Sequence, residues 1–354
     1  MRSTLQTVAD EVGVSRSTVS NAYSRPDQLS PELREKIFDA ARRLGYAGPD
    51  PAARSLRKGR VGAIGVLFSA TLSYAFTDPY AVQFLRGLAE TAELHDTGLL
   101  LMPLAEDATA AAAAVQNAVV DGFCVYCLPD WHSAQAAMRL RKLPVVSSER
   151  RDAGDPEARF VAIDEAAATL AAGRYLAALG HRRIALIADW IVPERETRPV
   201  ATARPEDVPY YVSRERLAGY RDAFAEVGVE WPEIATVNAA QNSRAAAAQA
   251  ASCVLDRAPR PTAILAVSDM LALGVLDALH TRGLRPGRDV SVIGFDDIPD
   301  ATTAGLTTVR QPALEKGRQA GALLLNPPED LAQRQVVLPT ELVVRASTGP
   351  APDA

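Results

Sequence analysis

A run of small polar side chains near the start of the chain has the composition of a surface that binds phosphates. In VADEVGVSRSTVSNAY (residues 8–23) the second half carries hydroxyls, one amide and one guanidinium, and it carries no acid. Side chains of this size fit the phosphates and base edges of a DNA major groove, although a helix face that meets only water has the same composition. The polar run consists of Ser15, Arg16, Ser17, Thr18, Ser20 and Asn21.

The apolar residues of the same stretch indicate what would hold the polar run. A helix-turn-helix needs a small residue where its two helices cross and a turn that accepts positive φ. It also needs apolar residues that lock the pair onto a third helix. The residues that meet these needs, in that order, are Ala9, then Gly13, then Val8, Val12, Val14 and Val19.

Capping residues divide this part of the chain into three short helices. Thr4 is placed to cap a helix that runs to about Glu11, and Ser15 a second that runs to about Tyr23. Ser30 followed by proline predicts the start of a third helix, PELREKIFDAARRLGY, that stops at Gly45. The apolar stripe of this third helix is Leu33, Ile37, Ala41 and Leu44.

Charge is distributed unevenly along the chain. The formal net charge is −5, but residues 1–60 hold 11 Lys and Arg against 7 Asp and Glu, which leaves the remainder at −9. A basic segment attached to an acidic body indicates a nucleic-acid-binding module joined to something else.

Length and composition exclude several classes of protein. A chain of 354 residues, 48% hydrophobic and 23% charged, is long enough for two or three packed cores. It has no run of about 18 apolar residues and no apolar segment followed by a small-residue cleavage site, so we expect a cytoplasmic protein. Cys124, Cys127 and Cys253 are too few for a disulfide framework.

Beyond Val61 short apolar runs alternate with alanine-rich amphipathic segments, which predicts an α/β fold with parallel sheets. About 290 residues are more than a single hydrophobic core usually holds, so we expect two subdomains with a boundary near Asp164. Residues 190–211 are rich in proline and charge and are predicted to form a long irregular loop. The strand candidates are VGAIGVLF, GLLLMPL, GFCVYCL, LPVVSS, RFVAID, RIALIAD, TAILAVS and DVSVIGF.

The residue types of one cluster suggest a metal site, but the number and spacing of its residues do not support one. Cys124, Cys127 and His132 lie close in sequence, yet zinc needs four converging ligands and no second pair has suitable spacing. Residues three apart on a strand also point to opposite faces. The sequence carries no nucleophile elbow, phosphate loop or nucleophile-base-acid set, so we expect neither a metal, a cofactor nor an enzyme.

The order of several segments resembles the lactose-repressor/galactose-repressor family of transcription regulators over nearly the whole chain. The resemblance implies a DNA-binding headpiece, a hinge, and a core like that of periplasmic sugar-binding proteins. The segments are TLQTVADEVGVSRSTVSNAYSRPDQLSPELREKIFDAARRLGY, PDPAARSLRKGRVGAIGVLF, LAALGHRRIALI, RERLAGYRDAFAEVGV, PTAILAVSDMLALGVLDALHTRGLRPGRDVSVIGFDDI and LTTVRQP.

The resemblance also implies how DNA would be bound. A homodimer would place two headpieces on a pseudo-palindromic operator, with Arg16, Ser17 and Asn21 toward bases. Ser15, Thr18 and Ser20 would hold phosphates. The hinge would include Ala53, Arg54 and Leu56, with Leu56 as the apolar wedge that kinks the duplex in its minor groove. Asp50 beside Pro51 departs from the family, which often has asparagine and no second proline there.

Domain limits follow from the same resemblance. It implies a headpiece at residues 1–48, a hinge at 49–60 and a tail at 347–354. The first core subdomain would hold 61–163 with about 298–323, and the second 164–297 with about 324–346. The chain ends without apolar heptads, so we expect a dimer without the tetramerising helix known in part of the family.

An effector would bind in the cleft between the two core subdomains, near the carboxyl ends of the strands. Strand-end carboxylates would accept hydrogen bonds from a polyol, although an aspartate in that place is also a common helix cap. An arginine would present a fork of donors, and a tryptophan would stack on a sugar ring. The candidates are Asp164, Arg216, Asp269, Asp296 and Trp190, followed by Glu149, Arg150, Asp78 and Tyr80.

The predicted function is therefore control of transcription, most simply repression, by a small-molecule effector. A sugar is the commonest effector class of the family, and a purine-like metabolite or a corepressor mode is the alternative. A solute-binding protein for transport is the rival from another class, and the headpiece argues against it. An enzyme on a doubly wound fold ranks third.

Overall fold

The predicted caps are present at the amino-terminal helices. The structure, a computed structural model, describes residues 3–48, 60–68, 71–104, 107–128, 133–150, 154–200 and 204–352. Helix α1 spans Leu5–Val12, α2 spans Arg16–Ser24 and α3 spans Pro31–Arg43. The side chains of Thr4, Ser15 and Ser30 each accept a hydrogen bond from a backbone N–H three residues further on.

A small apolar core joins these three helices. Gly13 adopts the left-handed conformation, φ 73°, which the predicted turn between α1 and α2 requires. Val8 and Val19 are fully buried against Ile37 of α3. The helix-turn-helix prediction is thereby confirmed, and residues 1–62 form one compact unit while residues 63–354 form the other.

The second unit is built on two sheets, and the first of these has six strands. We call this sheet with its helices the first lobe. All its strand pairs are parallel, in the order β12-β5-β4-β3-β1-β2. The strands are β1 Ala63–Phe68, β2 Gly98–Pro103, β3 Gly122–Tyr126, β4 Val145–Ser147, β5 Phe160–Ile163 and β12 Gln335–Leu338. The helices are α4 Tyr74–Thr77, α5 Pro79–Glu93, α6 Ala108–Asn117, α7 Ala134–Arg141 and α13 Ala313–Leu325.

The second sheet has seven strands in the order β13-β11-β10-β9-β6-β8-β7, and it forms the second lobe with its helices. Strands β7 and β13 run antiparallel at its two edges. The strands are β6 Ile184–Asp189, β7 Arg198–Pro199, β8 Ala235–Ala239, β9 Ala263–Ala266, β10 Ser291–Asp296, β11 Thr307–Arg310 and β13 Glu341–Val343. The helices are α8 Glu165–Ala178, α9 Tyr211–Ala225, α10 Arg244–Leu255, α11 Asp269–Thr281 and α12 Pro299–Thr303.

The α/β architecture with mainly parallel sheets is confirmed. Central strands such as β3 and β9 are buried along their whole length, as their unbroken apolar runs predicted. The described residues also include short 3-10 helices at Pro26–Gln28, Pro205–Asp207, Trp231–Glu233 and Leu331–Arg334. Among the described residues, no helix combines the length and apolar character needed to span a lipid bilayer.

The course of the carboxyl-terminal part differs from the predicted subdomain limits. We predict residues 298–323 in the first subdomain, and α13 does lie there, but β11 pairs with β10 in the second sheet. We predict residues 324–346 in the second, and β13 does lie there, but β12 pairs with β5 in the first sheet. The sequence does not show which neighbour completes a short strand. The chain passes between the lobes three times, after Ile163, after Arg310 and after Leu338.

The segment 190–211 is more regular than predicted. Strand β7 pairs with β8 and extends the second sheet, and Pro205–Asp207 forms a 3-10 helix. Ile191, Val208 and Tyr210 are buried. These scattered apolar residues fix the segment to the lobe in spite of its many prolines and charges.

Candidate functional site

The polar run of the headpiece begins at Ser15, the N-cap residue of α2, and continues along the exposed surface of the helix. Ser15, Arg16 and Ser17 are exposed, while Thr18, Ser20 and Asn21 are partly exposed. Among the described residues, the side chains of Arg16 and Asn21 make no hydrogen bond or ion pair. The helix contains no acid, so the face presents donors and one positive charge without a competing carboxylate.

Three hydroxyls at the start of α2 are already engaged with one another. Ser15 Oγ accepts the backbone N–H of Thr18 at 3.0 Å and lies 2.7 Å from Ser17 Oγ and 2.8 Å from Thr18 Oγ1. Ser15 therefore caps the helix, whatever else it contacts. The predicted hinge residues Ala53, Arg54 and Leu56 lie outside the described residues.

A cleft opens between the two lobes at the carboxyl ends of the central strands. Its cavity of about 490 Å³ is in the range of small-molecule sites. Five of the predicted effector residues line it, and they come from both lobes: Asp78, Tyr80, Trp190, Arg216 and Asp296. Other lining residues with polar side chains include Tyr74, Asp189, Arg195, Tyr210, Asn242, Ser243, Ser268 and Gln311.

Backbone conformation helps to direct side chains into this cleft. Cys127, Trp190 and Asp296 line the cleft at the end of a strand or one residue beyond it, and all three have positive φ: 48°, 55° and 119°. Residues other than glycine seldom adopt such values, and they concentrate where the surrounding fold holds a functional side chain in place.

Arg216 is the most constrained charge of the cleft. It is 6% exposed, and its Nε donates to Glu165 Oε2 at 2.7 Å. Nη1 donates to the carbonyl of Val267, and the guanidinium stacks 3.6 Å above the Phe295 ring. Burial alone would lower the pKa of Arg216, but Glu165 and Asp296 raise it, so the charge persists. Among the described residues, only Nε and Nη1 of Arg216 make hydrogen bonds, and Nη2 makes none.

Two carboxyls of the cleft are strongly affected by burial. Burial raises the pKa of Asp189 to about 6, against a smaller opposing effect from Arg216. Burial also raises the pKa of Asp296 well above its ordinary value. Gln311 Nε2 donates to Asp296 Oδ1 at 2.6 Å, which leaves the other oxygen for a ligand.

Direct hydrogen bonds connect the lobes across the cleft. Tyr74 of the first lobe donates to Asp78 at 2.5 Å and accepts from Asn242 of the second lobe at 3.0 Å. On the segment 190–211, which is called the insertion from here on, Tyr210 donates to Glu149 of the first lobe at 3.1 Å. The lobes are therefore linked by bonds that an opening motion would break.

Trp190 is held by its own surroundings. The guanidinium of Arg195 lies 4.6 Å from the Trp190 ring centroid, and the Tyr210 ring lies 6.3 Å from it at an interplanar angle of 55°. Asn238 accepts the Ile191 backbone N–H at 3.1 Å and so fixes the next residue of the insertion. The insertion thus supplies an aromatic wall of the cleft.

Four predicted residues do not line the cleft. Asp164 caps α8 at the Ala167 N–H and faces a separate apolar depression. Asp269 is fully buried and accepts from Thr308 Oγ1 at 2.6 Å and from a backbone N–H. Glu149 is buried behind Tyr210, and Arg150 is exposed away from the cavity. The first two have the helix-end and structural roles that strand-end aspartates often take.

Several residues of the site were missed. Asp189 ends a strand as Asp296 does, so the same strand-end rule would have found it. No sequence pattern pointed to Glu165, Asn242, Gln311 or the buried Lys316, because their roles arise only when distant segments meet.

The cysteines take no part in a metal site that the described residues form. No group of three or more His, Cys, Asp or Glu side chains in the described part of the chain is placed to hold a metal ion. Cys124 is fully buried, and burial raises its thiol pKa to about 12. His132 lies outside the described residues.

Family comparisons agree with this division into two functional parts. Residues 4–48 match the family described as bacterial regulatory proteins, lacI family, and residues 174–348 match the periplasmic binding protein-like domain. An HTH-type transcriptional regulator of Mycolicibacterium smegmatis is 42% identical over 360 residues, which cover 99% of this chain and 97% of that protein.

Solved structures show the same architecture. The CelR–cellobiose complex, a transcriptional regulator, is 27% identical with a TM-score of 0.67 and covers 98% of this chain and 100% of its own. The lac repressor dimer bound to operator and the anti-inducer ONPF is 26% identical with a TM-score of 0.75, covering 98% and 99%. This chain therefore belongs to the lacI family of DNA-binding transcriptional regulators.

Proposed function

We propose that the protein is a homodimeric repressor whose affinity for a pseudo-palindromic operator is controlled by a sugar in the interlobe cleft. The observation that carries this proposal is the lining of the cleft by three carboxyl groups and one paired arginine, in a chain that also carries a helix-turn-helix. Such a lining offers a neutral polyol both acceptors and donors. The cellobiose complex of CelR and the operator-bound lac repressor dimer support it.

The DNA side of the proposal rests on α2. Arg16, Ser17 and Asn21 contact base edges, while Ser15, Thr18 and Ser20 contact phosphates around the helix start. The apolar wedge at Leu56 kinks the duplex, so Leu56→Ala is expected to lose operator affinity and bending while effector affinity stays unchanged. This regulatory role requires no catalysis by the chain.

Control requires that the effector bind two arrangements of the lobes unequally. The hydrogen bonds across the cleft, Tyr74 to Asn242 and Tyr210 to Glu149, belong to one such arrangement. A sugar that bridges Asp78 of the first lobe and Asp296 of the second favours the arrangement in which both are within reach.

The test has two stages with the full-length protein. DNA fragments retained from a random pool give the operator, and light scattering gives the number of chains. Thermal unfolding with cellobiose, ribose, glucose, adenine and guanine, each at 10 mM, is followed by operator titration with every stabilising compound. Stabilisation by a sugar, together with a changed operator affinity, supports the proposal. If a purine stabilises the protein and no sugar does, the proposal that the effector is a sugar is wrong. An operator without twofold symmetry contradicts the dimeric binding mode.

A further inference from the structure

A lysine is buried beneath the cleft, and the carboxylates of Glu165 and Glu149 act on its charge only from beyond ion-pair distance. Lys316 of α13 is 4% exposed, and its Nζ lies 3.4 Å from Tyr80 Oη. Among the described residues this is the only hydrogen bond of the ammonium, which has three donors, and no carboxylate lies within ion-pair distance. Burying a charge in this way is unfavourable, so the position calls for a functional explanation.

The packing of α13 fixes this ammonium in place. Helices α13 and α5 meet through glycine on both sides: a Cβ at Gly317 would lie 2.0 Å from the Phe84 carbonyl oxygen, and one at Gly87 would lie 1.9 Å from the Leu314 carbonyl oxygen. The two backbones are therefore in contact beside Lys316. Because Tyr80 lies on α5, its hydroxyl cannot move far from the lysine.

The direction of the hydrogen bonds beyond Lys316 follows from its chemistry. An ammonium can only donate hydrogen bonds, so Tyr80 Oη accepts one from Lys316. The Tyr80 hydroxyl in turn donates a hydrogen bond to Gln311 Oε1 at 2.9 Å. With its oxygen engaged, Gln311 turns its amide nitrogen to Asp296 and donates to Oδ1. The chain Lys316–Tyr80–Gln311–Asp296 thus runs one way from the first lobe to a cleft carboxyl of the second.

We propose that Lys316 is a positioning residue that sets the specificity of the cleft by fixing the orientation of Tyr80 and Gln311, which leaves one Asp296 oxygen for a hydroxyl of a neutral polyol. This inference rests on the proposed effector function. The ligand is neutral because Asp78, Asp189 and Asp296 already crowd the cleft with carboxyls, while Glu165 balances Arg216. An acidic sugar would add a further negative charge to a buried site in which desolvation already raises the pKa of all three carboxyls.

The test compares Lys316→Met, which keeps length without charge, with Lys36→Met, which removes an exposed lysine of the headpiece. Calorimetry with the full-length proteins uses cellobiose, ribose and glucose as probes. For a sugar that binds the wild type, Lys316→Met is expected to weaken binding at least about tenfold, and Lys36→Met to leave it unchanged.

A structural role for Lys316 is separated by a double-mutant cycle with Asp296→Asn. If Lys316 acts through the chain, Asp296→Asn costs much less affinity in the Lys316→Met background than in the wild type. Fully additive losses overturn the inference, because they mean that Lys316 only supports packing. Should Lys316→Met fail to fold, Tyr80→Phe removes the central oxygen and takes its place in the cycle.

Three further outcomes distinguish this inference from the proposed function. Equal sugar affinity in the wild type and Lys316→Met overturns the role of Lys316 and leaves the sugar effector standing. If the wild type binds glucuronate more tightly than glucose, the claim that the ligand is neutral is wrong. No binding of any probe sugar to the wild type contradicts the sugar effector itself, and the inference falls with it.

Discussion

The face of α2 and the interlobe cleft treat their polar groups in opposite ways. On α2, the side chains of Arg16 and Asn21 make no hydrogen bond or ion pair with the described residues, and both are at least partly exposed. In the cleft, Arg216, Asp296 and Tyr74 are already bonded to other side chains. A large polyanion such as DNA makes many charged contacts, and these offset the cost of desolvating and ordering free side chains. A small ligand makes few contacts, so it needs groups whose orientation was fixed during folding.

The comparison also separates two kinds of sensitivity to mutation. If α2 contacts DNA as proposed, a change of an exposed side chain such as Arg16 removes a contact to DNA and leaves the fold intact. A change in the cleft leaves a buried partner unsatisfied, so it costs stability as well as binding. The four predictions below examine this difference.

The largest effect is expected at the buried ion pair. Arg216→Met leaves Glu165 buried without its partner, so the free energy of unfolding of the core should fall by about 3–5 kcal/mol. The effector response should be lost, while operator binding persists below the unfolding temperature. Urea unfolding followed by tryptophan fluorescence reports on the core alone, because all three tryptophans lie beyond residue 62.

The double variant Arg216→Met with Glu165→Met is the control for this pair. It should recover most of the lost stability without recovering the effector response. If the double variant is as unstable as Arg216→Met, the instability comes from lost packing on Phe295 and not from an uncompensated carboxylate.

A second effect concerns pH. The folded pKa of Asp189 is raised to about 6, above its unfolded value near 4. Its contribution to stability is therefore fully present below about pH 4 and is lost as pH rises through 6. The difference between the unfolding temperatures of wild type and Asp189→Asn should change between pH 4 and 6 and stay level above 7, by an amount worth at most about 3 kcal/mol. A flat difference would show that Asp189 titrates normally.

On the DNA side, Arg16→Ala should weaken operator binding by about 1–3 kcal/mol and relax the base preference at one operator position. Thr18→Ala should weaken all sites more evenly. Arg34→Ala, which removes an exposed arginine of α3, is the matched control for charge. Selection from random DNA measures the preferences, and identical preferences for wild type and Arg16→Ala would exclude base contact by Arg16.

The smallest effect is expected at the cap of α2. Ser15→Ala removes the acceptor of the Thr18 N–H and should destabilise α2 by about 1 kcal/mol. Hydrogen exchange in the full chain should show faster exchange at Thr18, with no change at the interlobe residues. Unchanged exchange at Thr18 would show that another group caps the helix.

Sequence alone was sufficient where the determinants are local. The caps at Thr4, Ser15 and Ser30 and the turn at Gly13 depend on a few neighbouring residues, and the structure contains all four. The apolar runs likewise identified β1 to β6, β9 and β10, although they did not identify β7, β8, β11, β12 or β13.

Sequence was insufficient where distant segments meet. Asp269 satisfies the strand-end pattern, but Thr308 and Ile298, brought close by folding, engage its carboxyl. Lys316 resembles any lysine on an amphipathic helix until α13 packs on α5. The assignment of β11 and β12 to subdomains was also wrong, because the pairing of a short strand depends on contacts with strands that are distant in sequence.

The three passages of the chain between the lobes restrict how the cleft can move. A single covalent tether would let one lobe swivel in any direction and slide past the other. The connections after Ile163, Arg310 and Leu338 join the two lobes at three points. Three connections restrict sliding of one lobe past the other more than one connection would, so the remaining motion is mainly rotation. Binding energy from a ligand in the cleft is therefore used mainly for this rotation, and less of it is lost in other relative movements of the two sheets.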